Sequence, residues 1–402
     1  MRYRLTGIEY VDVLAIFNAA FPSEIPSPFD GGHSYLWFER LLTVADAEVR
    51  ILTYGLLALS PNSNAIIPTG VLDCIAKCMK YLHDDADAHE RSEILSVTKR
   101  FLRRLQMSGS VLHKAKSSNK CDKAVDTMLA QYISFSAEFY TFLKRELRGG
   151  LSYQRHILSL LSLQYFFDLA LEPDIFMSDI ELMQALVCLV LDPFEDVRST
   201  AANLLHLLST RSQVAVQRVL TQALLDKVDL LAVKTVRGDH ADAMGRLWSL
   251  WDFSCEYSAN PSESGQNVAV VTELWQYVSR LDRLVAEGKT LKPGSPYPIH
   301  GSLLAVSYRL RDFKIQKPHS PFFDATKVMG VCLKVWNQVR AHLCVDSPET
   351  ASDPEDEESN EGPKDLLAYS WRALRDSRYA ISGTEPTSRG RLLTSPVLSC
   401  NR

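Results

Sequence analysis

The stretch DAEVRILTYGLLALSP, Asp46 to Pro61, is nearly rewritten at FEDVRSTAANLLHLLS, Phe194 to Ser209. Laid on each other, Val49 falls on Val197, Arg50 on Arg198, Leu56 and Leu57 on Leu204 and Leu205, and Leu59 on Leu207. In the second copy Val197, Ala201, Leu204, Leu205 and Leu208 follow helical spacing and form one apolar stripe. Its entry is legible too. Asp192 can cap, Pro193 suits the first helical position because no amide donor is missed there, and Glu195 stands where a capping box wants a carboxylate. The preceding text, SDIELMQALVCLVL, opens with a capping box of its own, Ser178 and Glu181. Two helices joined by so short a turn pack antiparallel.

A helical hairpin cannot bury its apolar faces alone and must stack on neighbours, so a recurring hairpin predicts a solenoid. The D/E-V-R-x-x-x-x-x-L-L text has the look of a HEAT or armadillo repeat. A looser third instance is GGLSYQRHILSLLSLQYF, Gly149 to Phe166, with Arg155 in the arginine's place. At roughly 40 to 47 residues per repeat, the expected architecture is an all-α array of stacked antiparallel helix pairs over 1–345. An irregular helical domain is the competing reading.

Loops are marked by the Pro, Gly, Ser and Asn clusters at Ser60 to Gly70, Ser258 to Gln266 and Lys292 to Gly301. Residues 346–365 are low-complexity and acidic, with too little apolar surface to order themselves, and are expected to be a solvated, disordered linker. A short helix is expected over 366–379 and a disordered, divergent tail over 380–402.

The chain has 402 residues, 46% of them hydrophobic, and a net charge of −4. That is ample for a core and rules out a chain that is basic throughout. Scattered cysteines and the lack of a secretory leader point to reduced thiols in the cytosol or nucleus, and the greasiest runs are too short for a membrane span. A soluble, cytoplasmic chain is expected.

Catalytic constellations are hard to find. HDDADAHE, His83 to Glu90, is the densest cluster of potential metal ligands, yet it matches no zinc or calcium spacing and reads as a solvated loop. Cys74 and Cys78 lack a second pair and read as buried thiols. Ser96 and Lys99 spell S-x-x-K without the partner motifs of acyl-transfer enzymes. No Walker loop, dinucleotide fingerprint or nucleophile elbow occurs, so no cofactor and no catalysis are expected.

Charge stands out instead. Thr98 to Lys123 sets eight Lys or Arg against a single acid, Asp122. Lys99 and Arg103, and likewise Arg100 and Arg104, lie one turn apart, so four cations share one side of a helix. The stripe continues to Lys114 and Lys116, and Lys144, Arg145 and Arg148 make a second group. Such a pattern fits a phosphate backbone read by shape and charge; a merely solvated face is the alternative.

Three stretches, DAEVRILTYGLLALS, the block FLKRELRGGLSYQRHILSLLSLQYF with Ser152, Tyr153, Gln154 and Arg155, and YSWRALRDS with Trp371 and Arg372, are informative together. They resemble the THADA family of large helical-repeat proteins, which includes the non-catalytic subunit of a tRNA ribose 2'-O-methyltransferase. The resemblance covers roughly residues 1 to 377. It implies a scaffold that binds tRNA and an FtsJ-type, AdoMet-dependent 2'-O-methyltransferase for methylation at position 32 of the anticodon loop. A HEAT-type protein adaptor that binds no nucleic acid is the alternative. Members of that family are several times longer and carry an Arg-Arg-Ser-x-Gly segment that this chain lacks, so a fragment is expected.

Overall fold

The computed structural model describes residues 35–60, 62–84, 86–118, 123–169, 171, 179–211, 213–235, 237–258, 279, 282–283, 285–286, 299–316, 325–343 and 363–384. Among these, the secondary structure is helical and no strand occurs. The acidic segment 346–362 and the tail 385–402 lie outside the described residues. The chain divides into two compact units, Met1–Ala215 and Val216–Arg402. The sequence reading did not mark that boundary.

In the first unit the helices are α1 (Tyr35–Leu42), α2 (Ala47–Ala58), α3 (Thr69–Leu82), α4 (Ala88–Ser118), α5 (Lys123–Arg145), α6 (Tyr153–Asp168), α7 (Ile180–Leu189) and α8 (Glu195–Arg211). Each helix meets its successor or its next-but-one neighbour: α1 packs on α3, α3 on α5, and in a second layer α2 packs on α4, α4 on α6 and α6 on α8. The α5/α7 step is bridged where Tyr140 and Lys144 both donate to Asp179, at 2.9 and 2.8 Å. Two parallel layers built from successive hairpins are the expected all-α solenoid of stacked antiparallel pairs. Val49 and Val197 lie on α2 and α8, equivalent helices of the second layer.

The repeated text has a local cause. Arg50 folds back from the first turn of α2 to donate to the carbonyls of Val44 and Ala45 at 2.8 and 2.7 Å. Arg198 does the same from α8, reaching Asp192 and Pro193 at 2.9 and 2.8 Å. The arginine thus satisfies the carbonyls of the turn that enters its own helix, groups that would otherwise lack partners. The stripe Val197, Ala201, Leu204, Leu205 and Leu208 is buried throughout. An aromatic run joins the layers: Tyr54, Phe101, Phe135, Phe139 and Phe166 follow one another at centroid distances of 6.2, 5.5, 5.9 and 5.9 Å.

Two local expectations are corrected. The cap of α7 is Asp179, whose carboxylate accepts from the Leu182 amide, and Glu181 is drawn to Lys144 at 3.0 Å instead of closing a box. HDDADAHE is not simply solvated. His83 is buried, Asp84 pairs with Arg155, and Asp87 and Glu90 form a reciprocal capping box for α4, at 2.7 and 2.8 Å. Cys74 and Cys78 are buried, as expected.

The second unit follows α9 (Gln213–Val219), which runs across the boundary, and holds α10 (Gln222–Thr235), α11 (Gly238–Ser258), α12 (Ile299–Gln316), α13 (Ala325–Leu343) and α14 (Pro363–Thr384). Here α10 packs on α11, α11 on α12, and both α12 and α13 on α14. Its core joins Leu303, Val306 and Leu310 of α12, Val328, Val331 and Val335 of α13, and Ala373 and Ala380 of α14. The helix carrying Trp371 is longer than the expected 366–379, taking in 363–365 of the expected linker and 380–384 of the expected tail. No helix among the described residues is long and apolar enough to cross a membrane.

Candidate nucleic-acid interface

The cationic stripe lies on α4, a helix that α2 and α6 flank in the second layer. Lys99, Arg100 and Arg103 are exposed, and Lys114 is exposed further along the same helix. At 100° per residue these four fall within about a 100° arc, and at 1.5 Å per residue they span about 22 Å. Arg100 and Arg103 form no ion pair with any described residue. The Lys99 ammonium lies 5.0 Å from the Tyr165 ring of α6, a cation–π contact that leaves its charge unneutralised.

Arg104 does not belong to this surface. It is buried, and its guanidinium donates to the carbonyls of Ala58 at 3.1 Å, Ala65 at 3.3 Å and Ile66 at 3.5 Å. It pins the loop between α2 and α3, helped by the Ile67 amide donating to the Tyr132 hydroxyl at 2.7 Å. Lys116 is exposed but paired with Asp126 at 2.8 Å.

The second group is also split. Lys144 is held between Asp179 and Glu181 at 2.8 and 3.0 Å. Burial works to lower its pKa, but the two hydrogen-bonded carboxylates prevail and raise it, so the charge is permanent and internally compensated. Arg145 lies 5.6 Å from the Phe142 ring, with Glu146 at 3.8 Å, and Arg148 is exposed. The exposed cations of the two groups are thus Lys99, Arg100, Arg103, Lys114, Lys116, Arg145 and Arg148, of which Lys116 and Arg145 face a carboxylate.

The Ser-Tyr-Gln-Arg motif opens α6 and knits repeats together. Ser152 is the N-cap residue, though its side chain makes no capping bond, and half-buried Gln154 lies in the first turn. The Tyr153 hydroxyl donates to Asp196 of α8, its ring packs on Phe194 at 4.5 Å, and the Arg91 guanidinium of α4 stands 5.2 Å from that ring. Arg155 pairs with Asp84 and with the buried carboxylate of Glu146 at 3.3 Å. The loop-facing role of Arg50 and Arg198 passes here to His156, whose Nε2–H donates to the Arg148 carbonyl at 3.1 Å. Nothing local ties Arg91, Asp84, Glu146, Phe194 or Asp196 to the motif, since each acts on a motif residue nine or more positions away. Trp371 and Arg372 lie on α14, Trp371 with 61% of its surface exposed.

Beneath the motif, His83 packs edge-on against Phe142 at 5.0 Å and shares a hydrogen bond with Ser159 at 3.3 Å. Burial, then the nearby Arg155 charge, lower its pKa from 6.5 to about 3, against a smaller opposing effect of Asp84. The unfolded chain takes up a proton near pH 6.5 and the folded chain does not, so stability falls as pH drops through that range. This histidine alone is expected to cost about 2 kcal/mol between pH 7 and pH 5. Urea unfolding at the two pH values checks it, with His83→Asn removing that share of the loss.

No group of three or more His, Cys, Asp or Glu among the described residues is placed to hold a metal ion.

The comparisons with known proteins agree with the resemblance read from the sequence. Residues 12–199 match a family described as Trm732, TPR repeats. The tRNA (32-2'-O)-methyltransferase regulator trm732 of Schizosaccharomyces pombe (strain 972 / ATCC 24843) is 22% identical over 394 residues, covering 90% of this chain and 26% of that protein. The chain thus spans about a quarter of that relative's length. The crystal structure of an engineered protein is 12% identical at a TM-score of 0.24, covering 93% of this chain and 92% of that one, too distant to bear on the fold. Residues 12–199, just under half of the chain, are thus similar to the Trm732 family of helical repeats.

Proposed function

We propose that this chain is a non-catalytic scaffold for tRNA 2'-O-ribose methylation at position 32 of the anticodon loop, acting in the cytoplasm. It holds tRNA through the exposed cations of α4 and carries an FtsJ-type, AdoMet-dependent methyltransferase that supplies the chemistry. The observation that carries this reading is the stripe Lys99, Arg100, Arg103 and Lys114, cationic over about 22 Å and with Arg100 and Arg103 outside any ion pair among the described residues. The relative's name, a regulator of a tRNA methyltransferase, supports the same reading. Such a subunit contributes by positioning, holding the target ribose within reach of a partner's active site.

The test is tRNA binding as a function of salt. Log affinity is expected to fall linearly with log salt, and the triple variant Lys99→Glu, Arg100→Glu, Arg103→Glu is expected to weaken binding by about tenfold or more and to flatten that slope by roughly two to three. Arg104→Glu is no control, because it breaks the loop that Arg104 pins. The internal pairing of Lys116 and Lys144 favours the second reading, an adaptor for proteins alone, and the absence of tRNA binding at low salt would establish that reading in place of the first.

A further inference from the structure

The second unit presents a surface of different character on α14. Trp371 and Tyr379 are exposed at 61% and 47%, and Arg375 and Arg378 are exposed between them. At 100° per residue, Arg378, Trp371, Arg375 and Tyr379 fall in that order across about 100° of the helix surface, and they span about 12 Å of its length. The opposite face is locked. Ala373 and Ala380 sit in the core, Ser370 and Ser377 are buried, and buried Asp376 lies 3.2 Å from the His300 ring of α12. That anchoring fixes the rotation of the helix and so fixes which residues face outward.

We propose that this face is a stacking platform for unpaired RNA bases, with Trp371 and Tyr379 receiving base faces while Arg375 and Arg378 hold the adjoining phosphates. The composition decides between occupants. A helix-binding groove needs contiguous apolar surface, whereas here each exposed ring is flanked by guanidinium groups; the one described acid of this stretch, buried Asp376, pairs with Arg375 at 3.1 Å and offsets only that one of the two exposed arginines. Aromatic rings interleaved with cations suit single-stranded nucleic acid, because every base offers a π-face and every nucleotide a phosphate. Paired bases in a stem keep their faces covered, so the platform selects loops. The inference rests on the RNA-binding reading above and adds to it: α4 supplies charge for any phosphate backbone, and α14 supplies discrimination in favour of unstacked bases.

The experiment compares the full chain's affinity for an RNA hairpin with an unpaired loop and for a blunt duplex of the same stem. Trp371→Ala is expected to weaken hairpin binding by about tenfold with little change in duplex binding or in the salt slope, and Trp371→Phe to restore most of it. Because Trp371 is largely exposed, the melting temperature of Trp371→Ala is expected to match that of the parent chain, which separates a lost contact from a lost fold. An unchanged hairpin affinity with the α4 triple variant still defective overturns the platform and leaves the scaffold reading standing. Equal losses on hairpin and duplex, or loss of a protein partner with RNA binding intact, also overturn it. Failure of the parent chain to bind either RNA sinks both readings together.

Discussion

Arg155→Ala is expected to lower the stability of the first unit by about 3 kcal/mol, at the lower end of what breaking a buried ion pair costs. The cost lies less in the lost attraction than in what is left behind. Glu146 is almost wholly buried at the end of α5, with Arg155 at 3.3 Å from one carboxylate oxygen and Arg145 at 3.8 Å from the other. Without Arg155 that carboxylate keeps, among the described residues, only the more distant partner while remaining out of reach of water. Asp84 is half exposed and can hydrate, so its share of the loss is small. The pair Glu146→Leu with Arg155→Leu is therefore expected to recover most of the stability, since an apolar replacement of a buried ion pair is often neutral or better. Urea unfolding of the single and double variants reads this directly. A single-variant loss under about 1 kcal/mol, or no recovery in the double variant, would show that the charge is not buried as described. The RNA affinity of folded Arg155→Ala is expected to stay within about twofold of the parent chain, because this arginine points into the scaffold.

That expectation shows where sequence reasoning reaches and where it stops. Arg50 and Arg198 were legible as equivalents because their work is local: each bonds to carbonyls five and six positions earlier in the chain. Aligning the third copy puts Arg155 in the same place, and the geometry assigns that place to His156, one residue on. A helix start shifted by one is invisible in text when both residues can donate. Arg104 fails for a different reason. Its neighbours in sequence, Arg100 and Arg103, are exposed, and the carbonyls that claim it come from a loop 38 to 46 residues away. Charge patterning marks a cationic face and cannot tell which of its members a distant loop will take. Lys144 is the same case, claimed by the acid that caps α7. What survives on α4 is what helical periodicity alone places outward. The stacking of the helices was legible for the complementary reason, since buried stripes repeat whether or not their partners are known.

The close approach of α11 and α12 carries the other large effect, and it was not legible at all, because nothing in the local text distinguishes Gly245 from an incidental helical glycine. A β-carbon at Gly245 would stand 2.7 Å from the Leu304 Cβ, 3.0 Å from the Ala305 amide nitrogen and 3.1 Å from the Gly301 carbonyl oxygen. These are backbone atoms and a first side-chain carbon, none of which can swing aside, so the two helices must separate. Helix propensity works the other way, favouring alanine over glycine by about 1 kcal/mol in a helix interior. Overpacking typically costs 1 to 3 kcal/mol and occasionally more. Here separation also loosens the neighbouring apolar contacts, so Gly245→Ala is expected to lose about 2 kcal/mol net and Gly245→Leu to undo the α11/α12 pairing. Gly330 on α13 is the control: a β-carbon there meets nothing within 4 Å, and Gly330→Ala is expected to gain up to about 1 kcal/mol. Opposite signs for the same substitution isolate packing from propensity. If Gly245→Ala stabilises as Gly330→Ala does, the two helices do not approach as closely as described. Because α12 is also the helix on which α14 rests, Gly245→Leu is expected to weaken hairpin RNA binding through Trp371 while duplex binding through α4 persists. Parallel loss of both would mean that the damage spreads beyond the second unit.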